Sequence, residues 1–214
     1  MTAIWGPMGW MTLHTAASIY PEAPIASERM LMISWLDAFR DTITCPSCKG
    51  HFTETLATYR AKFPGYLDSR QDFMIMTFRI HNAVNRRLHK PVYTTVADCV
   101  ATLKNNFTNR TAQQYRVAYV NHITRHWRSY QDVTGIVALG KIQEMKKIEM
   151  EYFTPRDTNL ASLVLREDIV ALPMGVLEAP TEVVTRSHIP TAPRSTTFIR
   201  GGFQILPGGI RLRR

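Results

Sequence analysis

Apolar residues recur at helical spacing in five successive segments of the first 104 residues, namely 8–20, 26–43, 45–59, 69–89 and 95–103. In the fourth segment, Phe73, Met76 and Ile80 recur every three or four residues, and Pro91 follows its last turn. No segment here alternates polar and apolar residues as a strand does. Because a period near 3.6 buries one face of a helix and a period of two buries one face of a strand, we predict an all-α fold. The expected architecture is a four-helix bundle with a short fifth helix.

The rest of the chain changes character at residue 155. Residues 105–154 keep a helical composition, which Gly135 and Gly140 are predicted to interrupt. From residue 155 onwards, prolines and glycine pairs separate β-branched residues, which predicts an extended arm that cannot form its own core. We therefore divide the chain into a bundle domain over residues 1–104, a helical extension over 105–154 and an arm over 155–214.

Most of the formal net charge of +9 lies in the arm. Residues 183–214 hold six Lys or Arg residues and no Asp or Glu, whereas positive and negative residues balance over 105–182. A solvated tail, nucleic acid, an acidic protein surface and anionic lipid all agree with such a segment. Docking onto a larger assembly, for instance a virion shell, is a further hypothesis for the arm.

Two of the three cysteines form a close pair, Cys45 and Cys48. No apolar run approaches the roughly 20 residues of a bilayer span and no secretory signal is evident, so we expect a reducing compartment. A close pair there is more often catalytic or metal-binding than structural. Pro46 suits a first helical turn, which places the pair at a helix N-terminus, where thiolate is favoured over thiol. Structural zinc is the alternative, with the ligands Cys45, Cys48, His51 and either His81 or His89.

Polar and aromatic side chains are predicted to converge near one end of the bundle. They lie on the first, third and fourth helices: Trp10, His14, His51, His81, Asn82 and Asn85. A redox dithiol needs an organic electron acceptor, because two thiols do not pass electrons to oxygen efficiently by themselves. The converging groups suit a cofactor with a flat ring and polar edges, and Lys90 with Arg86 or Arg87 would bind its phosphates.

Three segments resemble the signatures of the Erv/ALR family of flavin-linked sulfhydryl oxidases. They are Trp5-Gly6-Pro7-x-x-Trp10-x-x-Leu13-His14, Cys45-x-x-Cys48-x-x-His51-Phe52 and His81-Asn82-x-Val84-Asn85-x-x-Leu88-x-Lys90-Pro91. They follow the family's order and cover roughly residues 4–95. The short core and the Trp-Gly-Pro opening look most like the members encoded by large DNA viruses.

The resemblance implies an FAD-dependent oxidoreductase that forms disulfides in protein thiols. Cys45 is then the exposed cysteine that the substrate dithiol attacks, and Cys48 is the cysteine beside the flavin. Electrons pass from the substrate to this pair, then to FAD and then to oxygen, which yields hydrogen peroxide. The implied cofactor-binding residues are Trp10, His14, Cys48, His51, Phe78, His81, Asn82, Asn85 and Lys90. A homodimer paired through the first two helices is also implied.

The chain departs from the family pattern at several positions. Met76 stands where the family often has Trp, which predicts a different wall of the flavin pocket. Phe78 and Thr95 stand where cellular members carry a structural cysteine pair, so Cys99 has no partner and is predicted to be a buried apolar residue. No second cysteine pair is available as an electron shuttle. We therefore expect Cys45 to meet its client, or a separate dithiol protein, directly.

The alternative function is a structural or assembly protein of minor-capsid type. It would keep the oxidase bundle and use residues 155–214 as a docking element. For either function the expected locations are the host cytoplasm and the virion, without a membrane span.

Overall fold

The computed structural model describes residues 2–105, 111–156 and 177. They belong to the first of two compact units, Met1–Thr181, and the second unit, Glu182–Arg214, lies outside the described residues. In chain order the α-helices of the described part are α1 (Thr2–Ser18), α2 (Ala26–Asp41), α3 (Pro46–Lys62), α4 (Arg70–Arg87), α5 (Val96–Asn105), α6 (Ala112–Trp127) and α7 (Val133–Ile148). A π-helical turn, Glu149–Phe153, and a 3-10 turn, Thr154–Arg156, follow α7.

The all-α prediction is confirmed, and no strand occurs in the ranges just given. Helices α1 to α4 share one apolar core, which includes Leu13, Leu36, Leu56 and Phe73. None of the described helices has both the length and the apolar character that a bilayer crossing needs.

Helix starts follow the local chemistry of the sequence. The Ser69 hydroxyl accepts a hydrogen bond from the Asp72 amide at 3.1 Å and caps α4. Pro46 occupies the first turn of α3, where its missing N–H costs no intrahelical hydrogen bond. Cys45 is the N-cap residue of that helix, so the cysteine pair lies at a helix N-terminus as predicted.

The structure corrects two predicted boundaries. Helix α1 starts at Thr2 rather than near residue 8, and Pro7 lies inside it. The glycines of the extension do not interrupt a helix, because Gly135 and Gly140 both lie within α7 and the break falls between α6 and α7. A Cβ at Gly135 would collide with the Tyr130 carbonyl oxygen. Glycine is therefore present there for a close backbone approach, not as a helix breaker.

Helices α6 and α7 form an antiparallel hairpin that packs on the bundle. Helix α6 packs on α1, and α7 packs on α2. The indole N–H of Trp127, at the end of α6, donates to the Thr42 carbonyl oxygen at 2.9 Å. Of the predicted arm, 155–214, only Pro155, Arg156 and Leu177 are among the described residues. The prediction for the rest of the arm lies outside them.

Candidate functional site

Cys45 and Cys48 are joined by a disulfide at the start of α3. The Cys48 backbone N–H donates to the Cys45 sulfur at 3.3 Å. The Ser47 hydroxyl lies 3.4 Å from the same sulfur. Free N–H groups and the positive end of the helix dipole both stabilise negative charge at this position. The pair is therefore placed where a thiolate released by disulfide opening is stabilised.

A cavity of about 750 Å³ lies beside the disulfide and has Cys48, but not Cys45, in its wall. Residues of α1, α2, α3, α4 and α6 line it together with the segment that follows α4. Its volume is within the range of small-molecule and cofactor sites. Gly9 lets three aromatic rings come close to one side of α1. A Cβ at this position would lie 3.4 Å from Tyr119 and 3.6 Å from Phe39 and Trp5. The two cysteines differ in their access to this cavity, since only Cys48 lies in its wall.

A chain of hydrogen bonds fixes the proton positions on two buried histidines. The Thr77 hydroxyl donates to the Met74 carbonyl oxygen at 2.8 Å, so its oxygen accepts from His14 Nδ1 at 3.2 Å. His14 Nε2 is then an acceptor for the N–H at His81 Nδ1, 3.1 Å away. Both rings are neutral in this arrangement, and the remaining nitrogen of His81, Nε2, is an acceptor. A ligand polar group that meets this nitrogen must therefore donate a hydrogen bond to it.

Burial keeps both histidines neutral. It lowers the pKa of His14 to about 3. The pKa of His81 is lowered to about 2, first by burial and then by its neighbours His14 and Lys90. The ring of His81 stacks on Trp10, with centroids 4.0 Å apart and planes inclined by 11°. Trp10 and His81 both line the cavity, whereas His14 lies behind His81 and does not.

The two asparagines of α4 hold the segment that follows the helix. Asn82 makes both side-chain hydrogen bonds to the backbone of Tyr93, donating to its oxygen at 2.8 Å and accepting from its nitrogen at 2.9 Å. The Asn85 amide donates to the Pro91 carbonyl oxygen at 3.1 Å. His89 has a φ of 52°, which lets the Lys90 N–H bond the Asn85 carbonyl oxygen at 2.8 Å and end the helix. These bonds place Lys90 and the following residues in the cavity wall.

The structure brings most of the predicted site residues together. Six line the cavity, namely Trp10, Cys48, His51, His81, Asn85 and Lys90. Of the predicted phosphate-binding arginines, Arg87 lines it and Arg86 does not. His14, Phe78 and Asn82 are buried outside the lining. Met76 is also buried and is not among the lining residues.

Sequence reasoning missed several lining residues. Tyr93 follows α4, and Tyr115 comes from α6, outside the three recognised segments. Phe39 comes from α2, which carries no signature of its own. The available signal for Tyr115 was the run from Thr111 to Gln114, since a Thr followed three residues later by Gln marks a helix start.

Metal binding at the cysteine pair disagrees with the structure, because the disulfide engages both sulfurs. A different group, His14, His81 and Cys99, has one ligand atom from each residue within 4.8 Å of the others. Hydrogen bonds to Thr77 and His81 already engage both ring nitrogens of His14. Cys99 is buried, as predicted, and its sulfur lies 3.9 Å from His14 Nε2. Burial raises the pKa of this thiol to about 12.

Comparison with known proteins gives one family. The sequence profile of the Erv1 / Alr family matches residues 7–115. The FAD-linked sulfhydryl oxidase of African swine fever virus is 35% identical over 88 residues, which are 41% of this chain and 71% of that protein. The putative FAD-linked sulfhydryl oxidase 096R of Invertebrate iridescent virus 3 is 31% identical over 88 residues, 41% of this chain and 58% of that protein. The yeast enzyme named ERV2, from Saccharomyces cerevisiae, is 27% identical over 100 residues, 47% of each chain. No solved structure matches the chain.

Proposed function

Because this chain belongs to the Erv1/Alr family, we propose that it is an FAD-linked sulfhydryl oxidase that forms disulfides in protein thiols. One observation carries the proposal: a disulfide at a helix N-terminus has one of its two sulfurs, that of Cys48, in the wall of a cofactor-sized cavity. Cys45 is partly exposed and lies outside that wall. The pair therefore has a side for a protein substrate and a side for a cofactor.

The residues of the cavity fit FAD in their chemistry. Aromatic side chains such as Trp10 offer flat apolar faces for the rings, and His81 Nε2 is a hydrogen-bond acceptor for a polar ring edge. Lys90 and Arg87 supply positive charge for the phosphates. When bound, FAD supplies the two-electron acceptor that the cysteine pair lacks.

The first half of the reaction is a pair of thiol–disulfide exchanges. A substrate thiolate attacks the Cys45 sulfur, the Cys45–Cys48 bond breaks, and Cys48 leaves as a thiolate. The second substrate thiolate then attacks the mixed disulfide, which releases the substrate disulfide and leaves Cys45 as a thiol. The N-terminus of α3 stabilises the negative charge on Cys48, which makes it the better leaving group.

The second half restores the disulfide. Two electrons and the Cys45 proton leave the reduced cysteine pair, and oxygen takes them up with one further proton, which the substrate thiols released to water, to become hydrogen peroxide. The net reaction converts two thiols and one oxygen molecule into one disulfide and one hydrogen peroxide. The neutral His14–His81 pair holds the cavity wall without adding a charge, because burial suppresses protonation of both rings.

An absorbance spectrum tests this proposal. The purified protein should be yellow, and its flavin band should bleach when a dithiol is added without oxygen and return when oxygen is admitted. Cys48→Ser should keep the flavin and lose turnover. Cys45→Ser should also lose turnover, while Cys48 still perturbs the flavin band. Cys99→Ala is the matched control and should keep turnover. A colourless protein with its helical fold intact would refute the assignment.

We also propose a second role in assembly, with the arm over residues 155–214 as the docking element. It is supported by the charge of residues 183–214, six Lys or Arg without Asp or Glu, and by the viral origin of relatives at 31–35% identity. The host cytoplasm and the virion are the corresponding locations. Deleting residues 155–214 should leave flavin binding intact and reduce incorporation into particles. Unchanged incorporation would remove this role.

A further inference from the structure

The second half of helix α1, from Met11 to Ser18, is buried on all sides within this chain. Every residue from Met11 to Tyr20 is buried, and α1 contains no charged residue. One side faces α4, where His14 bonds His81 and Thr77. Helix α6 covers another side, where Tyr119 packs against Gly9. A helix that is apolar all round must be covered all round, and here the covering helices come from the same chain.

Helix α7 and the turn after it cover one side of α2, while Ala26, Met30 and Ser34 on its other side stay exposed. Phe153 meets Trp35 edge to face, with ring centroids 5.2 Å apart. Tyr119 of α6 stacks on Phe39, with centroids 5.1 Å apart and planes inclined by 23°. The Tyr152 hydroxyl donates to Glu28 at 3.3 Å. These contacts are those of a protein core and not of a loosely attached segment.

A buried ion pair ties the hairpin together against the bundle. Arg116 of α6 donates two hydrogen bonds to Glu149, at 2.8 and 3.1 Å, and its side chain is 1% exposed. The guanidinium also lies over the Phe153 ring, 5.3 Å from its centroid. Since opening this pair would leave a desolvated charge, the hairpin is held in one arrangement.

The hairpin also contributes to the cavity. Tyr115 of α6 lies in the cavity wall, and Tyr119 supports the wall from behind through its stacking on Phe39. The bundle helices α1 to α4 therefore do not enclose the cavity by themselves.

We propose that the hairpin of α6 and α7 takes the place of a second subunit on α1 and α2. The working unit is then one chain with one cavity, whose wall the hairpin completes through Tyr115. This replaces the homodimer expected from the family resemblance, because a second copy could reach the buried half of α1, Met11–Ser18, only by displacing the helices of this chain that cover it. The role of Tyr115 in the cavity wall rests on the proposed function, whereas the replacement of a second subunit by the hairpin does not.

Light scattering on the purified full-length chain, with and without added FAD, tests whether the protein is a monomer. The mass should be that of one chain, 24.5 kDa plus any flavin, over about a hundredfold range of concentration. A stable dimer at all these concentrations would overturn the proposal. This readout is independent of colour, so a colourless monomer would refute the oxidase assignment and still support the replacement of a subunit.

Flavin retention in Tyr115→Ala tests the cavity wall, with Tyr130→Ala as the control on the exposed end of the hairpin. Loss of one aromatic contact should weaken FAD binding about tenfold in Tyr115→Ala and leave the control at the parental value. Far-UV circular dichroism confirms that both variants keep the helical fold. Equal retention in the two folded variants would show that the hairpin does not complete the cavity.

Discussion

Glu149→Ala should destabilise the protein far more than an ordinary surface change, because it leaves the Arg116 guanidinium buried without its carboxylate. The Arg116 side chain is 1% exposed and the Glu149 side chain 11% exposed, so water cannot replace the two lost hydrogen bonds. Removing one partner of a buried ion pair costs about 3–5 kcal/mol. At about 2–4 °C per kcal/mol for a domain of this size, the melting temperature should fall by ~6–20 °C.

Urea denaturation followed by circular dichroism measures this loss. Replacing both partners, Arg116→Met with Glu149→Leu, should recover most of it, because no unpaired charge is then buried. Glu144→Ala is the control: it breaks a pair with Lys141 at 3.2 Å, but Glu144 is 52% exposed, so the change should stay within about 0.5 kcal/mol. If Glu149→Ala unfolded at the same urea concentration as Glu144→Ala, the reasoning on hairpin packing would be wrong.

Three other predictions concern single sites. The folded-state pKa values of His14 and His81, about 3 and about 2, lie below the usual 6.5. The contribution of both histidines to the free energy of unfolding should therefore be at its maximum above pH 6.5. As the pH drops from 6.5 towards 3, the free energy of unfolding should fall by about 1.4 kcal/mol per pH unit for each histidine. Urea titrations at several pH values measure this, and a flat profile would contradict it. Cys99 should resist alkylation in the native protein and react after unfolding, since it is buried and its pKa is raised to about 12; native labelling seen by mass spectrometry would disprove this. His89→Gly should stabilise the fold by about 0.5–1 kcal/mol in thermal unfolding, because a residue at φ 52° is strained unless it is glycine; a loss of stability would count against the role given to this turn.

The bundle helices could be predicted because local signals agree with the tertiary packing. In α4, the apolar residues recur at helical spacing, Ser69 caps the start and Pro91 follows the end. The cysteine pair was placed at a helix N-terminus from Pro46 together with the helical spacing of His51, Phe52 and Leu56. Such signals act over one or two helical turns, so they do not depend on how distant parts of the chain pack.

The position of the hairpin could not be predicted in this way. Nothing local to Tyr119 or Phe153 says that they pack on Phe39 and Trp35, because such contacts join residues far apart in sequence. Gly135 was misjudged for the same reason, since the Tyr130 carbonyl that excludes a side chain there comes from the preceding loop. The structural role of Asn82 could not be predicted either, because it hydrogen-bonds the backbone of Tyr93, which comes near only in the folded chain.

Helix α1 nevertheless carries a signal that points to the hairpin. It contains no charged residue on any face, and a bundle of four helices leaves one face of each helix in water. That face of α1 must therefore be covered, and α6 covers it. Because α1 also supplies Trp5 and Trp10 to the cavity, and Tyr119 packs against Gly9 of the same helix, loss of the Tyr119 ring removes support from that side of the cavity. Stability of the hairpin and retention of the cofactor should for that reason be lost together, even though the dithiol lies on a different helix.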